Sequence, residues 1–135
     1  MNVFRQDCWK AFFFIYKENK MKEIIAVIRP YQWQKTKTKL LEEGFNAFTV
    51  HRVYGRGRQR GLHYLSKSGK VEEGICFLPK RMVTLFVPDE DAARAAELIA
   101  ETNRTGEIGD GKIFISALDG VERVRTGEKG EEVLI

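Results

Sequence analysis

The chain has 135 residues, the length of one domain with its own hydrophobic core. Its 43% hydrophobic content is ordinary for a globular protein, and a formal net charge of +4 favours anionic ligands or acidic partners without requiring nucleic acid. Two cysteines, Cys8 and Cys76, exclude a disulfide framework and have no metal-ligand spacing, so a reducing cytoplasm is the expected setting.

The first twenty residues differ from the rest of the chain. The apolar run at residues 11–16 is too short to span a membrane, and no small-residue cleavage site follows it. Met21 directly precedes a strand pattern, so we expect the domain to occupy residues 21–135. Residues 1–20 are then an N-terminal extension outside the domain, such as one from an upstream start; a helical arm is the alternative.

The first half of the domain predicts a strand, a helix and a second strand. A nearly continuous apolar run at residues 23–28 is typical of a central strand, and Pro30 ends it. Residues 31–43 have helical periodicity, with Gly44 at the position that follows a helix. Residues 45–54 then alternate as a strand does.

A long connection separates this half from a similar second half. Residues 55–76 are polar, glycine-rich and charged, and a loop of this length in a small domain is usually functional or disordered. A third strand is predicted at residues 81–87. A second helix follows, with Asp89 as its N-cap and Gly106 at its end, and a fourth strand covers residues 112–117.

The order strand-helix-strand, loop, strand-helix-strand is the split β-α-β pattern of an α+β, ferredoxin-like fold. It predicts a four-stranded antiparallel sheet with both helices on one face. Apolar residues point to both faces of the strands. We therefore expect self-association to cover the face without helices.

A glycine- and lysine-rich segment, residues 105–114, stands between the second helix and the fourth strand. Its spacing from Gly106 to Gly111 and Lys112 nearly matches a P-loop. However, Ile113 replaces the magnesium-binding Ser or Thr, and a strand rather than a helix follows the loop. The segment is either a phosphate-binding loop that needs further cations or a plain helix-to-strand turn.

Two other segments are rich in arginine. Residues 52–61 contain four arginines and three glycines, which fits a solvated loop, a nucleic-acid segment or a nucleotide site. Arg123 and Arg125 lie two apart on a segment predicted to be extended, so both should face one side and need an anion between them. That anion is either a phosphate or one of the nearby carboxylates of Glu122, Glu128 and Glu131.

Residues for catalysis do not stand out. His51 and His63 are the only histidines, and neither has the spacing of a metal site or a catalytic triad. No paired carboxylates or activated cysteine are evident. We therefore expect a non-catalytic protein.

Together these motifs resemble the PII family of nitrogen-regulatory signal proteins over nearly all of residues 21–135. Residues 105–112 are similar to the family's B-loop, and residues 123–128 to its C-loop. Residues 55–61 and 77–80 are similar to the start and end of its T-loop, at about residues 55–77.

The resemblance implies a cytoplasmic homotrimer that senses ATP or ADP, with Mg²⁺, and 2-oxoglutarate. It implies an enzyme regulator whose T-loop binds a target protein, which is an enzyme, a transporter or nitrogenase, without nucleic acid or direct membrane insertion. The nucleotide-binding residues it implies are Thr49, Gly57, Arg58, Gly109, Asp110, Gly111, Lys112, Arg123 and Arg125. Gln59 and Lys80 would bind 2-oxoglutarate, and Gln59 would also coordinate magnesium with ATP. The adenine end would lie at Thr49 and Gly57, near Val27 and Phe86.

The chain departs from the enterobacterial type of PII protein in its T-loop. The loop is slightly longer, and no tyrosine stands at the uridylylated position, which falls near Glu73. Residues 44–49, 79–81 and 103–106 are more similar to the nitrogen-fixation branch, whose members act on nitrogenase. The alternative is a small RNA-binding module of the same topology. That module needs exposed aromatic residues on the central strands, where this sequence has mostly Ile, Val and Leu.

Overall fold

The protein has one main antiparallel sheet. The computed structural model describes residues 20–57 and 77–134, and between them only the backbone of residues 64–65 and 71–72. Four strands form the sheet in the order β2-β5-β1-β6: β1 is Met21–Ile28, β2 is Thr49–Gly55, β5 is Leu78–Pro88 and β6 is Lys112–Leu118. Every pairing is antiparallel. The two short strands β3 (Tyr64–Leu65) and β4 (Val71–Glu72) pair separately.

Two helices connect the strands. A 3-10 turn, Pro30–Gln32, leads into α1 (Trp33–Glu42), and α2 spans Asp89–Asn103. The helices pack against each other, and α2 also contacts β1 and β5. The predicted ferredoxin-like fold is therefore confirmed. In the described part of the chain, neither helix is both long and apolar enough to cross a bilayer.

Several predicted boundaries of helices and strands are wrong by a few residues. The first helical segment begins as a 3-10 turn at Pro30, a residue whose fixed φ and missing N–H are tolerated in a first helical turn, and α1 begins only at Trp33. Strand β2 begins only at Thr49, and β5 begins at Leu78, three residues before the predicted start. Helix α2 ends at Asn103 because Arg104 is already extended, with ψ 121°.

Asp89 is the first residue of α2 and not its N-cap. Its N–H donates to the Lys20 carbonyl at 2.9 Å, and its carboxylate pairs with the Lys22 ammonium at 3.2 Å. The first turn of α2 is acidic, since Asp89, Glu90 and Asp91 all lie there, which complements the helix dipole.

The hydrophobic core lies between the helices and one face of the sheet. Alternate residues of the two central strands β1 and β5 point into it, because successive side chains of a strand face opposite sides. Small residues of α2 allow that helix to approach the sheet closely. The core side chains include Ile24, Ala26, Val83, Leu85, Leu40, Ala95 and Ile99, all of them buried.

On the opposite face of the sheet, which we call the open face, no helix of the described residues packs. By register, Ile25 lies between Thr84 and Phe114, and Glu23 lies opposite Phe86. Phe86 and Phe114 are 40% and 55% exposed. The expectation that this face has mostly Ile, Val and Leu on its central strands is thus wrong in part, since Phe86 is there and Leu85 is in the core.

Candidate functional site

The glycine-rich loop between α2 and β6 is shaped by backbone conformations that glycine alone adopts easily. Gly106, Gly109 and Gly111 have φ values of 87°, 104° and 110°. A Cβ atom on Gly111 would lie 1.9 Å from the Val27 carbonyl oxygen, whereas one on Gly106 would meet no atom of the described part of the chain within 4 Å. The loop is therefore seated directly on the end of β1 at Gly111.

The Asp110 carboxylate holds the loop together from inside. One oxygen accepts the N–H groups of Thr105 and Gly106 at 2.8 and 3.0 Å, and the other accepts the Thr105 hydroxyl at 2.5 Å. Hydrogen bonds from the Thr105 hydroxyl and amide, followed by those from Arg29 and the Gly106 amide, hold the pKa of Asp110 well below its usual range. The Asp110 side chain is thus engaged within the loop.

Arg29 contacts this loop from the end of β1, and sequence reasoning missed it. One guanidinium nitrogen lies 2.5 Å from the Asp110 carboxylate and 3.4 Å from the Thr105 hydroxyl, and the other donates to the Ile108 carbonyl at 3.0 Å. Only 13% of the Arg29 side chain is exposed. The sequence offers one signal for Arg29: it is a basic residue between a strand predicted to be buried and Pro30, at the end of the sheet that the loop contacts.

Lys80 brings a second cation to the loop. Its ammonium donates to the Gly109 carbonyl at 3.2 Å. Burial, with the nearby charge of Arg29, lowers the pKa of Lys80. The structure therefore brings together Lys80 and the B-loop, which the sequence places about thirty residues apart.

Lys112 and Thr49 lie on the open face but at opposite edges of the sheet. Lys112 pairs with Val27 across β6 and β1, and Thr49 pairs with Thr84 across β2 and β5. Three strand spacings of about 4.8 Å each separate β2 from β6. One chain therefore cannot bring both side chains to a single small group. A ligand that meets both must extend across the face, or a neighbouring chain must supply one of them.

Of the predicted nucleotide- and 2-oxoglutarate-binding residues in the T-loop, the structure describes only Gly57. Gly57 is exposed, and a Cβ there would meet none of the described atoms within 4 Å. Arg58 and Gln59 lie outside the described residues. Among the residues that are described, no group of three His, Cys, Asp or Glu side chains gathers as a metal site.

Arg123 and Arg125 lie on a turn, not on the extended segment predicted for them. The N–H groups of Thr126 and Gly127 donate to the Arg123 carbonyl at 3.2 and 2.7 Å, and Gly127 has a φ of 73°. The Arg123 guanidinium pairs with the Glu128 carboxylate, one of the partners considered for it. Arg125 is exposed at the end of this turn, next to Val124, which is 98% exposed.

Comparison with known proteins identifies the family. The family model for nitrogen regulatory protein P-II matches residues 21–128. The nitrogen fixation nifHD region GlnB-like protein 2 of Methanobacterium ivanovii is 45% identical over 122 residues, covering 85% of this chain and all of the relative. The protein of the same description from Methanococcus maripaludis is 42% identical over 125 residues, covering 84% of this chain and all of that relative.

A solved structure agrees with the sequence relatives. The crystal structure of Arabidopsis thaliana PII bound to citrate superimposes with a TM-score of 0.68 at 33% identity, covering 86% of this chain and 94% of that one. These comparisons give no support to an RNA-binding module, and the names of the relatives agree with the predicted nitrogen-fixation branch. This chain belongs to the PII family of nitrogen regulatory signal proteins.

Proposed function

We propose that the protein is a non-catalytic sensor of ATP or ADP and of 2-oxoglutarate, and that it controls a target protein through its T-loop at residues 55–77. The observation that carries this proposal is the B-loop, which is fixed on the end of β1 by Gly111 and Arg29, with Lys80 hydrogen bonded to it. Fixed loops of this kind present backbone N–H groups and cations to phosphate without first having to become ordered.

The nucleotide phosphates would lie at Gly109, Asp110, Gly111 and Lys112, with Arg58, Arg123 and Arg125 adding positive charge. Since the Asp110 carboxylate is engaged within the loop, Asp110 would contribute its backbone. Thr49 and Gly57 would meet the adenine end, and Gln59 would coordinate Mg²⁺ with ATP. Arg123 pairs with Glu128 in the isolated chain, so it would have to share its charge between that carboxylate and a phosphate.

A homotrimer would complete the site. The open face leaves Phe86 and Phe114 exposed, and burial of such a face against other copies is favourable. Thr49 and Lys112 lie at opposite edges of that face, which favours sites shared between neighbouring chains. The nucleotide would then bind in the clefts between subunits.

Lys80 would hold 2-oxoglutarate together with Gln59. Its ammonium has a carbonyl oxygen as its hydrogen-bond acceptor, and burial, with the nearby charge of Arg29, lowers the pKa of Lys80. A carboxylate is a stronger partner for such a partly buried ammonium than a neutral carbonyl. The regulated protein would be one that acts in nitrogen fixation, as the names of the relatives suggest, with nitrogenase as the first candidate. Both proteins would act in the cytoplasm.

Titration calorimetry with ATP and ADP tests the nucleotide site. We expect micromolar binding to the wild type, and weakening by Lys112→Ala and by Arg125→Ala. Loss of one charged hydrogen bond to phosphate costs about 1.5–3 kcal/mol, roughly tenfold to a hundredfold in affinity. Lys37→Ala, which removes an exposed lysine from α1, is the matched control. Wild-type affinity in both site variants would reject the assignment.

A further inference from the structure

Arg29 joins the end of β1 to a loop that lies far from it in the sequence. Its guanidinium reaches three loop residues, namely Thr105, Ile108 and Asp110. These contacts use both terminal nitrogens, one on the Asp110 carboxylate and one on the Ile108 carbonyl. A lysine has a single point of charge and cannot make this forked contact.

The contact with Asp110 continues into the backbone of the loop. The Asp110 carboxylate accepts the amides of Thr105 and Gly106 as well as the Thr105 hydroxyl. Arg29, Asp110 and the Thr105–Gly106 amides thus form one connected network, which we call the loop clamp. At the other end of the loop, the backbone of Gly111 lies directly against the Val27 carbonyl.

The Arg29 charge is already neutralised by Asp110, and the side chain is largely buried. A nucleotide phosphate would therefore find Arg29 already occupied by the loop. Any contribution of Arg29 to nucleotide binding must pass through the conformation of residues 105–111.

We propose that Arg29 is a positioning residue that preorganises the B-loop for phosphate by means of the loop clamp. This inference rests on the proposed nucleotide site. It goes further by assigning a role in that site to Arg29, the residue that directly follows β1. Removing the clamp leaves the loop to be ordered by the ligand, and affinity falls because that ordering costs free energy.

The test compares Arg29→Met, which removes the guanidinium, with Arg29→Lys. The lysine keeps the charge but cannot contact Asp110 and Ile108 through two separate nitrogens. Arg94→Met is the matched control, because Arg94 is an exposed arginine on α2 that pairs with Glu43 and Asp91. Titration calorimetry measures ATP affinity at one fixed salt concentration. Amide hydrogen exchange of the ligand-free protein measures the opening of the Thr105 and Gly106 N–H groups.

We expect both Arg29 variants to bind ATP about tenfold or more weakly than the wild type, with faster exchange at Thr105 and Gly106. Asp110→Asn should act similarly. Combining it with Arg29→Met should add little, because both substitutions break the same network. Arg94→Met should match the wild type in both measurements.

Wild-type affinity in Arg29→Lys would overturn the inference, because charge alone would then suffice. Unchanged exchange at the two amides, or additive losses in the double variant, would overturn it as well. Should Arg29→Met not fold, Arg29→Lys and Asp110→Asn test the same network. If the wild type binds no nucleotide, the proposed function fails, and the amide exchange alone decides whether Arg29 holds the loop.

Discussion

Gly111 has no room for a side chain in the B-loop. Its backbone has a positive φ, and a Cβ there would overlap the Val27 carbonyl. Gly106 shares the positive φ, but a Cβ there would meet none of the described atoms within 4 Å. Substitutions at the two glycines therefore distinguish a steric clash from backbone strain.

We predict that Gly111→Ala moves the loop off β1 and abolishes measurable nucleotide binding. Gly106→Ala, in contrast, should cost only the strain of a left-handed alanine, about 1–2 kcal/mol. Thermal unfolding and titration calorimetry of both variants check this. Equal behaviour of the two variants would show that contact with Val27 is unimportant.

Sequence reasoning at the residue scale succeeded where the signal was local. Gly106, Gly109 and Gly111 could be recognised because glycine spacing is visible in one short segment. Arg29 could not, since its role depends on a hydrogen bond to Asp110, 81 residues further along the chain. The turn at residues 124–126 could not be predicted either, because the only turn-favouring residue nearby is Gly127, directly after it. An extended segment is therefore the natural interpretation of Arg123 and Arg125 from sequence.

At the scale of elements, a buried polar contact joins the two helices. Asn103 of α2 donates to the Thr36 hydroxyl of α1 at 3.0 Å and to the Ile99 carbonyl at 2.8 Å. The Thr36 hydroxyl in turn donates to the Gln32 carbonyl at 2.9 Å. Both amide hydrogens of Asn103 are therefore used, and its buried side-chain oxygen has no partner in the described part of the chain.

We predict that Thr36→Val destabilises the protein by about 1–3 kcal/mol, because it leaves an Asn103 amide hydrogen buried and unpaired. Adding Asn103→Leu should recover part of this loss, since both polar partners are then gone. Thr38→Val is the control: Thr38 makes the same bond within α1, to Gln34, but is exposed, so the change should be within about 0.5 kcal/mol. Urea unfolding at one fixed chain concentration measures all three. Additive losses in the double variant would contradict the pairing.

The strand and helix types were predictable because each depends on a periodicity contained in the element itself. The residues at which the strands and helices begin and end were less predictable. The start of β2 at Thr49 depends on its pairing with Thr84 of β5, and that partner lies 35 residues away. Asp89 is a typical N-cap residue, but its N–H donates to the Lys20 carbonyl and its carboxylate pairs with Lys22 of β1.

For the whole molecule, the open face determines how copies of the chain would associate. Phe114 is 55% exposed on this face, opposite Ile25. We predict that the wild type sediments at three times the chain mass of 15.6 kDa, and that Phe114→Asp lowers this mass, because a carboxylate is costly to bury in an apolar contact.

Leu41→Asp is the control, since Leu41 is 42% exposed on α1, on the far side of the sheet from the open face. It should leave the sedimenting mass unchanged. A wild type that sediments as a monomer, or a Phe114→Asp variant that keeps the full mass, would contradict the proposed trimer.

The position of strand β5 has a consequence for how ligand binding at the glycine loop would affect the long loop. It begins at Leu78, where the long loop at residues 55–77 rejoins the sheet, and Lys80 lies two residues further along. Lys80 is hydrogen bonded to Gly109, so the glycine loop and the long loop meet on a single strand. A ligand that draws Lys80 away from Gly109 acts almost at the base of the long loop. Under the proposed function, communication between the two loops would therefore pass through Lys80 over the first residues of β5.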